Sequence, residues 1–218
     1  MGNKINDPIA RLMGLRYKSH PWHGLEVGDD APEVVTAFIE MVPTDTVKYE
    51  LDKVSGYIKI DRPQKYSNVV PALYGFIPQS YCGGLVAEYA MQQTQRTDIQ
   101  GDCDPLDICV LTERTISHGD IIARVRPIGD EADDKIIAVL KHDATYNVYN
   151  DISELPHIVV DRLKHYFLTY KDMPGEEGQR KVEITHVYGR EEAYEVIRRS
   201  LEDYKNHFEG LEDILSRV

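Results

Sequence analysis

From residue 34 to residue 140 the chain is written in short strand-like runs separated by turn signals, and only after Pro156 does the apolar period change to that of a helix. The runs are VVTAFIEM (34–41), VKYELD (47–52) and YIKIDR (57–62), followed by Asp107–Leu111, residues 121–125 and Lys135–Leu140. The first three read as an antiparallel region with a DKVSG turn between the second and third. Two-residue alternation places Lys48 and Glu50 on one face there, and Val47, Tyr49 and Leu51 on the other. After Pro156, Val159, Leu163, Tyr166, Phe167 and Tyr170 form one helical stripe. Ala193, Val196, Ile197, Leu201, Tyr204 and Phe208 form a second after Gly189. Strands gathered in one block with helices added afterwards predict an α+β fold, a small barrel or sandwich flanked by helices.

At 218 residues, 42% hydrophobic and 28% charged, the chain is long enough for one domain with extensions. Residues 1–33 lack periodicity and read as an N-terminal arm, with a turn of helix expected near 9–15, and 34–218 as the domain. His20, Trp22 and His23 of that arm read as packing or a subunit contact and are given no chemistry. Twenty-five basic residues against 37 acidic ones leave a net charge of −12, which opposes a polyanion, and no Arg/Lys–aromatic stripe offsets it. Nucleic acid is therefore not an expected partner. No apolar run approaches the length of a membrane span. Cys82, Cys103 and Cys109 are an odd, sparse set without C-x-x-C, so a reduced, cytoplasmic setting is expected rather than a disulfide framework or a zinc ribbon.

The stretch GDCDPLDI carries three carboxylates, Asp102, Asp104 and Asp107, in six residues at the entry to a strand. Like charges that close repel, and a hard divalent cation with a preference for oxygen, Mg²⁺ or Mn²⁺, relieves the repulsion. For an arbitrary D-x-D a solvated acidic turn is the commoner explanation. A calcium loop does not fit, because Asp107 stands where that loop needs glycine and Leu106 where it needs an oxygen ligand. A second acidic group, Asp130–Glu131–Ala132–Asp133–Asp134, precedes Lys135 on what reads as an exposed connection between strands. Glu40 and Glu50 line or end strands in the first half. Against these stand the cations Lys48, Arg62, Lys135 and Lys171, with Tyr74 and Tyr170 as hydroxyl donors. Carboxylates that hold a divalent ion beside cations that grip oxyanions are what phosphoryl transfer requires.

These motifs, in order, are IEM…VKYELD, IDRPQKYSN, YGFIP, DCDPLDICVL, DEADDKIIAVL and HYFLTYK. Together they resemble the soluble family I inorganic pyrophosphatases over residues 38–198. The resemblance implies a five-stranded OB-type β-barrel with flanking α-helices, and Mg²⁺-dependent hydrolysis of inorganic diphosphate to two phosphates. It implies that Asp102, Asp107 and Asp133 are metal ligands and that Asp104 takes the proton of the nucleophilic water. Lys48, Arg62, Tyr170 and Lys171 match diphosphate-binding positions, Tyr74 lies beside the nucleophile, and Lys135 lies near the phosphates. Glu40 and Glu50 match outer acidic positions that hold a further ion through water. A homo-oligomer is also implied.

The chain departs from the family pattern in two places. Cys103 stands where a small residue such as Gly or Ser is usual. The segment 127–135 is shorter, and Ile128 falls at a metal-ligand position when aligned from the right, leaving Asp130 or Glu131 as the candidate substitute. A catalytically weak protein that binds diphosphate and metal is the alternative this shortening raises.

Overall fold

The computed structural model describes residues 19–65, 67–131, 135–170 and 187–208. Strand β1 (Val35–Met41) is buried at every position, because it packs on both faces, Val35, Ala37 and Ile39 in one cluster and Phe38 in another. Strand β4 (Leu73–Phe76) runs antiparallel along one edge and β6 (Ile121–Glu131) antiparallel along the other. Strand β5 (Asp107–Leu111) then pairs antiparallel with β4 and parallel with β7 (Lys135–Leu140), and β7 returns antiparallel to β6. The order β1-β4-β5-β7-β6, with β1 and β6 also paired, closes a five-stranded mixed barrel. The two-residue strand β8 (Val187–Tyr188) extends the sheet beyond β6.

The runs VKYELD and YIKIDR are strands, as expected, but they do not enter the barrel. As β2 (Val47–Leu51) and β3 (Ile58–Pro63) they form a separate two-stranded ribbon. Their place in the barrel is taken by β4, whose four residues, LYGF, are too few to show alternation. Gly75 makes this strand possible: a β-carbon there would lie 1.8 Å from the Phe38 carbonyl oxygen. Strand β6 also outruns its expected end at 125 and reaches Glu131, so Asp130 lies in a strand and not on an exposed connection.

Val35, Ala37 and Ile39, with Leu73, Ile108, Val110, Ala123, Val125, Ile136 and Ala138, form one buried cluster drawing on all five barrel strands. Only the inward face can supply such a set. Helix α1 (Gly84–Thr94) contributes Val86 to this cluster, and helix α3 (Arg190–His207) contributes Ala193, Val196 and Ile197. The outward residues Cys109, Leu111, Ile137 and Val139 pack against Val159, Leu163, Tyr166 and Phe167 of helix α2 (His157–Thr169). Both stripes read from the sequence thus find separate surfaces. The arm residue Trp22 is buried with Phe38, Leu51, Phe76 and Tyr81. The helical turn expected near 9–15 lies outside the described residues. Among the described residues no helix is long and apolar enough to cross a membrane.

Helix α1 has no side-chain cap of its own, since its N-cap is Gly83. Asp203 of α3 supplies one from a distance: it is buried, and it accepts from the backbone N–H groups of Gly83 (3.1 Å), Leu85 (3.0 Å) and Val86 (3.1 Å). Asp203→Ala leaves these donors buried and unmet. It should lower the stability of the protein by about 2 kcal/mol, read as a shift in the urea midpoint, with Asn recovering part of the loss. An unchanged midpoint would show that the cap is replaced by solvent.

Candidate active site

The acidic loop 101–107 is fastened to the segment 77–82 by a set of backbone bonds. The Cys82 N–H donates to the Asp104 carbonyl (2.8 Å), Cys103 N–H to the Cys82 carbonyl (3.1 Å), and Ile77 N–H to the Leu106 carbonyl (2.9 Å). The fully buried Ser80 hydroxyl accepts from Leu106 N–H (2.8 Å) and donates to the Ile77 carbonyl (2.6 Å). The Trp22 indole N–H donates to the Ser80 carbonyl (2.8 Å), so the arm braces the loop from behind. Cys103 adopts φ of 64°, the left-handed region that favours glycine, and is exposed. The loop is therefore held in shape by groups away from its acids.

Asp107 begins β5, and its Oδ2 accepts from the Tyr74 hydroxyl (2.5 Å) and from the Lys135 ammonium (3.2 Å). Strand register brings all three together: β5 sits between β4 and β7, and Asp107 lies opposite Lys135 in the parallel pair. Burial, followed by the Asp107 charge, pushes the Tyr74 phenol well above its usual pKa, so it remains a hydrogen donor. The Lys135 ammonium lies 5.5 Å from the centre of the Phe167 ring. Asp102 accepts the Asp104 N–H (3.0 Å), and burial, with the Asp104 and Asp107 charges adding, raises its pKa. Asp104 forms an ion pair with Lys53.

Glu40 sits where the register of β1 against β4 shifts between Ile39 and Met41. Its side chain lies on the Phe38 face of the strand, toward the ribbon, where it accepts the Leu51 N–H (2.7 Å). Burial raises the Glu40 pKa to about 8, and the Asp107 and Glu50 charges reinforce the shift. On the ribbon Lys48 bonds Glu50 (3.1 Å) and Asp61 (3.2 Å), and Asp61 also holds Arg62 (2.5 Å). Burial opposes the Lys48 charge, but Glu50 and Asp61 outweigh it and raise the lysine's pKa. The Arg62 guanidinium lies 5.9 Å from the centre of the Tyr170 ring, and that ring stacks on Tyr166.

A pocket of about 290 Å³ joins most of these groups: Glu40, Lys48, Glu50, Tyr74, Asp102, Asp104, Asp107, Lys135 and Tyr170 all line it. Arg62 reaches the site through Asp61 and Tyr170, not as a lining residue. Asp133 and Lys171 lie outside the described residues. Asp130, expected on an exposed connection, is buried on β6, where it pairs with Ile136 and Tyr188, and it is not among the residues that line the pocket. For Glu131 only the backbone, in β6, is described. Lys53 and Asp61 were missed by sequence reasoning. Lys53 read as part of a turn, and the only signal for Asp61 was its place beside Arg62 in IDRP.

Among the described residues the lining carries five carboxylates, Glu40, Glu50, Asp102, Asp104 and Asp107, against three ammonium groups, Lys48, Lys53 and Lys135. The raised pKa values of Glu40 and Asp102 come first from burial, and the neighbouring negative charges add to it. Among the described residues no three acidic, histidine or cysteine side chains converge at ligating distance. The donor set nevertheless suits a hard divalent ion: among the described lining residues it is carboxylate and phenol oxygen, with the Met41 thioether the one sulfur and neither thiol nor imidazole present.

An oxygen-rich acidic pocket beside fixed cations, on a closed barrel with helices at its flank, defines the class of metal-assisted phosphoryl hydrolases. Comparison with known proteins narrows the class. The family described as inorganic pyrophosphatase matches residues 37–205. An inorganic pyrophosphatase of Chlamydia trachomatis is 52% identical over 200 residues, covering 87% of this chain and 96% of its own length. A soluble inorganic pyrophosphatase of Zea mays is 38% identical over 182 residues, covering 80% of this chain and 76% of its own. The crystal structure of inorganic pyrophosphatase from Thermus thermophilus superposes with a TM-score of 0.68 at 31% identity, covering 86% of this chain and 99% of that one. The chain belongs to the inorganic pyrophosphatase family, and its barrel is of the OB type.

The Glu40 shift has a thermodynamic consequence. Its carboxyl keeps a proton in the folded protein that the unfolded chain releases, so its contribution to stability is full below pH 4.5 and is lost as pH rises to about 8. Glu40→Gln retains an acceptor for Leu51 N–H and removes the titration. Denaturation of the metal-stripped protein at pH 5, 7 and 9, as ~two-unit steps across that window, should show the variant gaining on the wild type at each step. Parallel stability curves would place the Glu40 pKa at its ordinary value.

Proposed function

We propose that the chain hydrolyses inorganic diphosphate to two phosphates, with Mg²⁺ as the ion of its metal site and Asp104 as the base. The observation that carries the reading is the convergence of the three aspartates of the D-x-D-P-x-D motif with Lys48, Lys135, Tyr74 and Tyr170 on one pocket. The family is metal-dependent. Asp102 and Asp107 are the inner ligands in this reading, with Asp133 from outside the described residues, and Glu40 and Glu50 supply outer oxygens. Divalent ions bound there neutralise diphosphate charge and acidify water, which supplies a nucleophile at neutral pH.

The protein's own groups divide the remaining work. Tyr74 and Lys135 fix the orientation of Asp107 from two sides. Asp61 holds Lys48 and Arg62 as a pair, and these two cations, with Tyr170 and Lys171, grip the phosphate oxygens and stabilise the charge that grows on the departing phosphate. The oxygen of the attacking water forms its bond to one phosphorus as the bridging P–O bond breaks, and Asp104 takes the water's proton. Enzymes lower barriers by about 8 to 23 kcal/mol, so base, cations and metal charge must act together. The catalytically weak alternative raised by the shortened 127–135 segment gains nothing from the relatives, which are named as the enzyme at 52% identity. The reading includes a homo-oligomer, for which the exposed Val54, Tyr57 and Ile60 of the ribbon region offer apolar surface, and a cytoplasmic setting, which the free cysteines suit.

Phosphate release from diphosphate, measured with and without Mg²⁺, tests the activity directly. Asp104→Asn should lose turnover by about 10²-fold or more while retaining Mg²⁺ uptake. Unimpaired turnover in that variant would remove Asp104 from the role of base.

A further inference from the structure

Two lysine–aspartate pairs face the pocket, and they are built differently. In the first, Lys135 and Asp107 stand opposite one another on paired strands, the lysine side chain is only 10% exposed, and Phe167 and Tyr74 enclose the contact. In the second, Lys53 and Asp104 pair at 38% and 43% side-chain exposure. Asp104 belongs to the braced acidic loop, whereas Lys53 reaches across from the turn between β2 and β3.

The main chain of that turn is fixed. Asp52 accepts from the Ser55 N–H (3.0 Å) and hydroxyl (2.5 Å), and Gly56 N–H donates to the Asp52 carbonyl (2.8 Å). The His20 ring stands 3.2 Å from the Lys53 carbonyl oxygen and fills the space where a β-carbon on Gly56 would lie. Only the flexible four-carbon stem of Lys53 is left free to extend or withdraw. A solvent-exposed pair of this kind is weak and exchanges readily, unlike the enclosed one beside it.

We infer that Lys53 is an exchangeable internal counter-ion of the acidic loop, a positioning residue that holds Asp104 toward the pocket and competes there with divalent cations. This rests on the reading of the pocket as a divalent-cation site. An ammonium group on Asp104 and a doubly charged ion held by Asp102 and Asp107 repel at this range. Lys53 therefore weakens cation uptake while keeping the crowded acids from repelling one another. Lys135 cannot play this part, because its enclosure fixes its ammonium on Asp107.

The test is direct Mn²⁺ titration of the metal-stripped full-length protein by calorimetry, on the wild type, Lys53→Met, Lys53→Gln and Lys53→Arg. Both neutral variants should bind Mn²⁺ about 3–10-fold more tightly than the wild type, and Lys53→Arg should stay within about twofold of it. The gain should shrink as salt is raised, because exposed charges are screened, whereas a purely structural effect would not respond in this way. Neutral variants that melt like the wild type and bind Mn²⁺ equally or more weakly would overturn the inference while leaving the pocket a cation site. A wild-type protein that takes up no Mn²⁺ would instead overturn the reading of the pocket, and the inference with it.

Discussion

The site depends on one oxygen atom. Oδ2 of Asp107 receives the Tyr74 hydroxyl and the Lys135 ammonium, each from a strand adjacent to β5. For this to happen β5 must run antiparallel to β4 and parallel to β7, which is how the five strands close. The same pairing that buries the inward cluster therefore fixes the geometry of the acids. A register slip of one residue in β5 would turn Asp107 away from both partners and expose Ile108, so packing and function select the same register.

Around that point, peripheral elements hold the acidic loop without lining the pocket. Ser80 bonds Leu106, the residue before Asp107, and Trp22 of the arm secures the Ser80 carbonyl. Asp203 reaches from α3 to the start of α1, whose preceding segment, through Cys82, bonds Asp104 and Cys103. Glu40 follows Phe38 on the ribbon-facing side of β1, so that a residue of a fully buried strand presents its carboxyl to the pocket. A flexible acidic loop would let its like charges separate, whereas this one is constrained by backbone bonds made elsewhere.

The electrostatics carry the same logic. The net charge of −12 does not favour an anionic substrate, yet the ribbon concentrates Lys48 and Arg62 around Asp61, and Lys135 stands across the pocket. The described lining is nevertheless net acidic, so these cations favour an anion there only once divalent charge offsets the carboxylates. The ribbon brings Lys48 and Glu50 to the same pocket as Tyr74, Asp107 and Lys135 of the barrel.

What local sequence determined is what local chemistry can determine. Both helices after Pro156 follow from apolar spacing, and the D-x-D-P-x-D stretch stands out by the crowding of its charges. The runs at β2 and β3 were legible as strands, but nothing within them says that they pair with each other outside the barrel, because partner choice is a long-range decision. Strand β4 was invisible for the same reason: four residues including a glycine have no pattern, and the strand exists because β1 and β5 flank it. Asp130 looked like an exposed acid in a polar run, and the pairing of β6 with β7 and β8 buried it away from the site. Lys53 and Asp61 carry charges that any strand or turn could display, and only the pairing of β2 with β3 and the approach of their turn to the acidic loop gave them Lys48 and Asp104 as partners. Residue chemistry is written in the chain one position at a time, whereas the coincidence of charges from distant positions exists only once the backbone has closed.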